Sequence, residues 1–184
     1  MSEHTDNLLA ELSKKLEGGL DVLIVMGSQS DWRYNERDGV WRCASILSEL
    51  GFVSYASYIV SAHRTPERMY EVAERVDGKV KVVVAAAGGA AHLPGMMAAM
   101  MRRTPVIGLP MKSSALSGLD SLYSIVQMPP GVPVATMAIG GAENAALFAA
   151  TLVGLTNPQV MNCVAAYRDA TADSVAYLPS NFSK

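Results

Sequence analysis

Five short apolar runs constrain this chain more than any other feature: Leu20 to Met26, Phe52 to Val60, Val80 to Ala87, Pro105 to Leu109 and Val132 to Ile139. They are nearly continuous in apolar and β-branched residues rather than alternating with polar ones, the pattern of strands buried on both faces. Helical patterns separate them. Alternation of this kind predicts a parallel sheet with helices on each side: a single-domain, three-layer, doubly wound α/β fold of the flavodoxin or Rossmann type.

The helices have readable ends. Leu8, Leu9, Leu12 and Leu16 recur at helical spacing, and Gly18-Gly19 stop that helix. Residues 1–19 therefore read as an N-terminal helical extension, and 20–184 as one α/β domain. A polar stretch, Gln29 to Gly39, precedes a helix from Val40 to Leu50, which Gly51 closes. Thr65-Pro66-Glu67 offers an N-cap, a proline at the first helical position and an acid in the first turn, for a helix reaching Val76. Further helices are expected from Pro94 to Met101, Leu119 to Val126, Asn144 to Leu155 and Pro158 to Tyr177.

Charge excludes several classes of function. Fifteen Lys and Arg against 17 Asp and Glu leave no basic surplus for a phosphate backbone, so nucleic acid is not expected as a partner. Charged residues make up 17% of the chain, against roughly 25% in an ordinary soluble domain. The deficit is local: Val82 to Tyr167 holds only Arg102, Arg103, Lys112, Asp120 and Glu143. Either a membrane or partner subunits must cover such a half. The uncharged stretch from Val82 to Met101 contains Gly88, Gly89, His92, Pro94 and Gly95, which parse as strand, loop and helix rather than a span. Glu3, Asp6, Glu11, Lys14 and Lys15 leave no secretory apolar segment at the start. Cys43 and Cys163 form no CxxC and read as reduced core thiols of a cytoplasmic protein. His4, His63 and His92 lack zinc-ligand spacing, so no metal is expected, and no GxSxG occurs.

In an open parallel sheet, ligands bind beyond the carboxyl ends of the strands. Three successive junctions there carry polar groups. Gly27-Ser28-Gln29-Ser30-Asp31 offers two hydroxyls and a carboxylate, suited either to an anion and a sugar or to plain helix capping by Ser30 or Asp31. Ser61-Ala62-His63-Arg64-Thr65-Pro66 places a group that titrates near neutral pH beside a fork of donors. Gly88-Gly89-Ala90-Ala91-His92-Leu93 allows close approach of backbone to a ligand, with His92 either a second polar group of the site or a satisfied structural residue.

These junctions carry a resemblance. Met26 to Trp32, Ser61 to Pro66, Ala87 to Met96 and Ala115 to Pro129 are similar, in order, to the class I N5-carboxyaminoimidazole ribonucleotide mutase family of purine synthesis, across about Leu20 to Ala170. The resemblance implies that the chain interconverts N5-carboxyaminoimidazole ribonucleotide and 4-carboxy-5-aminoimidazole ribonucleotide, with no cofactor and no metal. It implies that Ser28, Asp31 and Arg64 bind the phosphoribosyl part, with Ser30 nearby. His63 is then the general acid/base, and Ser61, Gly88, Gly89, His92 and Leu93 line the imidazole and carboxylate end. It also implies a homo-octamer, in which the Ser117 to Ser121 loop completes a neighbour's site.

Two rival readings stand beside this one. The animal-type class II enzymes carboxylate aminoimidazole ribonucleotide directly with CO2. They typically carry Lys after the catalytic His, where this chain has Arg64, and a different glycine loop. A non-catalytic ribonucleotide-binding protein on the same fold is the other. The chain departs from the class I pattern twice. Asp31 to Ser61 is several residues longer than usual, with the excess at Arg33 to Gly39, and the turn at Gly140-Gly141-Ala142-Glu143 lacks a lysine often found there.

Overall fold

The computed structural model describes residues 2–33 and 39–178. Five parallel strands form one sheet: β1 (Val22–Met26), β2 (Tyr55–Ile59), β3 (Val82–Ala87), β4 (Val106–Pro110) and β5 (Ala135–Thr136). Their order is β2-β1-β3-β4-β5, the flavodoxin-like doubly wound arrangement. Every residue of β1, β3 and β4 is buried, as their unbroken apolar runs require.

The alternation of side chains along each strand divides the core into two layers. Val22, Ile24 and Met26, with Val82, Val84 and Ala86, pack on one side. There they meet α3 (Trp41–Leu50), α7 (Ala142–Gly154) and α8 (Pro158–Asp173). Leu23, Val25, Val83 and Ala85 face the other side, against α1 (Glu3–Glu17), α4 (Pro66–Val76) and α5 (Leu93–Met100). Leu9 and Leu12 of α1 are buried in that second layer. α6 (Leu119–Val126) lies across β4, and Gly108 makes this possible: a Cβ there would fall 2.8 Å from a methyl of Val134 and also strike Ile125.

Four elements differ from expectation. Within the polar stretch after β1, residues Gln29–Trp32 form a single helical turn, α2, closed by a capping box between Ser28 and Asp31. β5 keeps two residues of the expected run, Ala135–Thr136, and Pro133, with no N–H to give the ladder, lies outside it. β2 begins only at Tyr55, since Phe52 turns through a positive φ of 56°. α8 also stops short of Tyr177: the Ser174 hydroxyl donates to the Thr171 carbonyl, and Val175 and Tyr177 beyond it are exposed.

The extra length expected at Arg33 to Gly39 lies, apart from those two residues, outside the described residues. Beside the site the Val40 N–H donates to the Asp31 carbonyl at 2.9 Å. Cys43 is fully buried and its thiol is pushed up to about 12 by that burial, so it is chemically inert. Both cysteines are free thiols. Among the described residues no helix is long and apolar enough to cross a membrane.

Candidate active site

The strand ends converge on a cavity of about 320 Å³. Eight of the ten residues singled out above line it: Ser28, Ser30, Asp31, Ser61, His63, Arg64, Gly88 and Leu93. Gly89 and His92 are not among the lining residues. His92 nevertheless touches the lining, because its Nδ1 lies 2.8 Å from His63 Nε2.

At one end the site is built from side chains. Asp31 Oδ2 accepts the Ser28 N–H at 2.9 Å and the Ser28 hydroxyl at 3.3 Å, and the Ser28 and Ser30 hydroxyls share a hydrogen bond. Burial holds the Asp31 carboxyl above its usual range, and the bonds from Ser28 and the charge of Arg64 only partly offset this. Capping and ligand binding are thus not exclusive here: Asp31 caps the turn through one oxygen while it lines the cavity. Arg64 donates to the Gly27 carbonyl at 3.0 Å. One such bond uses one of five guanidinium N–H groups, leaving capacity for an anion.

The turn that carries His63 and Arg64 is stitched internally. Thr65, expected to cap α4 with its side chain, does something else. Its Oγ1 accepts the Ser61 N–H at 2.9 Å and donates to the Ser61 carbonyl at 3.1 Å. The Arg64 N–H donates to Ser61 Oγ at 3.2 Å. Ser61, only 8% exposed, is therefore a brace of this turn as well as part of the cavity wall.

The other end is largely backbone. Gly88 sits between Asp31 and the Met111-Lys112 segment, where a Cβ would come 3.6 Å from the Lys112 carbonyl oxygen and 3.9 Å from Asp31 Oδ1. Gly89 turns through a φ of 67°. The two imidazoles meet edge to face, with centroids 4.9 Å apart and planes at 78°, sharing one hydrogen bond between them. Ala62, Ala87 and Ala90 complete a small apolar wall. Among the described residues, no group of three His, Cys, Asp or Glu side chains could hold a metal.

Sequence reasoning missed Lys112, Ser113 and Ser114, which also line the cavity. They follow β4, so the rule that exposed the first three junctions points to this fourth one too. Glu143, at the turn without the lysine, is used elsewhere. It pairs with Arg42 at 3.3 Å and accepts the Tyr167 hydroxyl at 2.8 Å, tying α7 to α3 and α8.

Comparison with known proteins identifies the chain's relatives. The family model described as AIR carboxylase matches residues 21–174. The N5-carboxyaminoimidazole ribonucleotide mutase of Brucella melitensis is 50% identical over 165 residues, covering 88% of this chain and 98% of its own. That of Thermotoga maritima is 50% identical over 149 residues, covering 80% and 83%. Among solved structures, Treponema denticola PurE superposes with a TM-score of 0.69 at 29% identity, covering 83% of this chain and 91% of its own.

Proposed function

The chain belongs to the AIR carboxylase family, and from that premise we propose that it acts as an N5-carboxyaminoimidazole ribonucleotide mutase. It is an isomerase of purine biosynthesis. The observation that carries the assignment is the joining of a hydroxyl, carboxylate and guanidinium end to a histidine and glycine end in one cavity.

Ser28, Asp31 and Arg64 hold the ribose and phosphate, with Ser30 beside them. Ser61, Gly88, Gly89, His92 and Leu93 surround the imidazole ring and its carboxylate. The N5–CO2 bond breaks with its electron pair retained on nitrogen, which takes a proton from His63. The freed CO2 is captured by ring carbon 4, and the proton on that carbon returns to His63. Proton and CO2 are both conserved, so no outside reactant is needed. A general acid/base of this kind contributes about 10²–10⁴-fold. Ala62, Ala87 and Ala90 favour retention of CO2 and exclusion of water between the two steps.

Arg64 in place of the class II lysine favours the mutase over direct carboxylation. An absorbance assay at low bicarbonate tests the assignment, with each substrate supplied separately. Turnover of the N5-carboxy compound is expected; equally efficient carboxylation of aminoimidazole ribonucleotide would overturn it. Tight binding of the ribonucleotide without isomerisation would instead support the non-catalytic binding protein.

The same reading makes the protein a cytoplasmic homo-octamer whose subunits cover the charge-poor half. Leu119, Tyr123 and Val126 support it, since they recur along one side of α6 and are all exposed in the single chain.

A further inference from the structure

The motif from Ala115 to Pro129 has no place in the chemistry above, yet the first turn of α6 within it grips the cavity wall at two points. Asp120 Oδ1 accepts the Ser113 hydroxyl at 2.6 Å and the Ser121 N–H at 3.0 Å. Ser113 Oγ in turn accepts the Gly118 N–H at 3.1 Å, which ties the loop after β4 to the helix. Ser121 is fully buried, and its Oγ accepts the Gly89 N–H at 2.8 Å, 32 residues away in the chain.

The Gly89 carbonyl has a longer tie to the same helix, accepting the Ser124 hydroxyl at 3.4 Å, while the Gly89 N–H is held by Ser121. Nothing lies within 4 Å of the place a Cβ would occupy, so no neighbour presses on that side of the residue. Its φ of 67° is a conformation that glycine adopts freely and leaves just as freely. Two tight turns follow: the Ala91 N–H donates to the Gly89 carbonyl and the His92 N–H to the Ala90 carbonyl, each at 2.8 Å. Any displacement of Gly89 is passed through these turns to His92, whose ring meets His63.

We propose that Ser121 is a positioning residue of the reaction: its buried hydroxyl fixes Gly89 and, through it, the His63–His92 hydrogen bond. This rests on the mutase reading for its kinetic consequence, though not for its structural one. Removing the hydroxyl orphans a backbone N–H and frees the loop to turn that donor elsewhere. The phosphoribosyl end shares no hydrogen bond with Ser121, so ground-state binding there is preserved.

The test is Ser121→Ala beside Ser121→Thr, which restores a hydroxyl. For Ser121→Ala, kcat is expected to fall on the order of 10- to 10²-fold, the scale set by small misplacements of catalytic groups. KM for the ribonucleotide should change by less than about twofold. The titration of the two imidazoles, followed by NMR in the free protein, should move in Ser121→Ala and return towards wild type in Ser121→Thr. Unmoved histidine titrations in a folded Ser121→Ala would overturn the proposal, as would equal losses of kcat in both variants. Wild-type protein without mutase turnover would sink the assigned reaction instead, while the imidazole titrations still decide what Ser121 does.

Discussion

The two ends of the cavity are made differently. Around Ser28 and Asp31, polar groups bond to one another three residues apart, Arg64 reaches 37 residues back to the Gly27 carbonyl, and Asp31 lies half-buried at the cost of an unfavourable ionised state. Around Gly88, Gly89 and His92, the wall is backbone, and the bond that holds it arrives from α6. The first end is built from polar side chains and suits ground-state binding. The second depends on long-range ties and suits a ring and a CO2 molecule that must change partners.

The sharpest way to break this division is His63→Asn. Turnover should fall by about 10²–10⁴-fold in the mutase assay, while the ribonucleotide still binds, because the side-chain end is untouched. Asp31→Asn should do the converse, weakening ribonucleotide binding by roughly 10- to 100-fold, the scale of a charged hydrogen bond. Its stability should move the other way. Because burial raises the Asp31 carboxyl in the folded state, its stabilising contribution is complete below the unfolded value of about 3.9 and is lost as pH rises through the folded one. At pH 7 the ionised form is therefore a burden, and Asp31→Asn should melt no lower than wild type by calorimetry.

A smaller effect belongs to the second end. Asp120 is held below the usual carboxylate range, chiefly by the bond from the Ser113 hydroxyl, with burial opposing it and the Ser121 N–H assisting. Its contribution is present above the unfolded value and lost as pH falls through the folded one. Wild-type melting temperature should thus drop as pH falls below the unfolded value of about 3.9, in part through this group. Asp120→Asn should flatten that part of the profile; an unchanged acid limb would show that the α6 tie adds nothing. Sizing by light scattering probes the exposed flank of α6, and a stable monomer at micromolar concentration would contradict the assembly proposed for it.

The two ends also differed in how readable they were. Ser28, Asp31, His63 and Arg64 lie in short motifs directly after apolar strands, and the rule for parallel sheets gathers them without further help. The sheet was equally plain, because β1, β3 and β4 are buried on both faces and carry no polar interruption. What stayed hidden depended on partners distant in the chain or on single atoms. Thr65 satisfies the N-cap pattern, yet its hydroxyl turns back to Ser61. The α2 turn arises from one capping box in a polar stretch with no apolar period. Ser121 looks like any helical serine until the 32-residue return to Gly89 is seen. Lys112 to Ser114 were within reach of the strand-end rule but offered only a Ser-rich loop to the eye.

The separation of binding from chemistry is tested most directly by calorimetric titration and turnover measured together on His63→Asn and Asp31→Asn. The expected pattern is crossed: His63→Asn keeps its ribonucleotide affinity within a few-fold and loses kcat, whereas Asp31→Asn loses affinity and keeps most of kcat at saturation. If His63→Asn binds as poorly as Asp31→Asn, or retains substantial turnover, the two ends do not divide the work in this way.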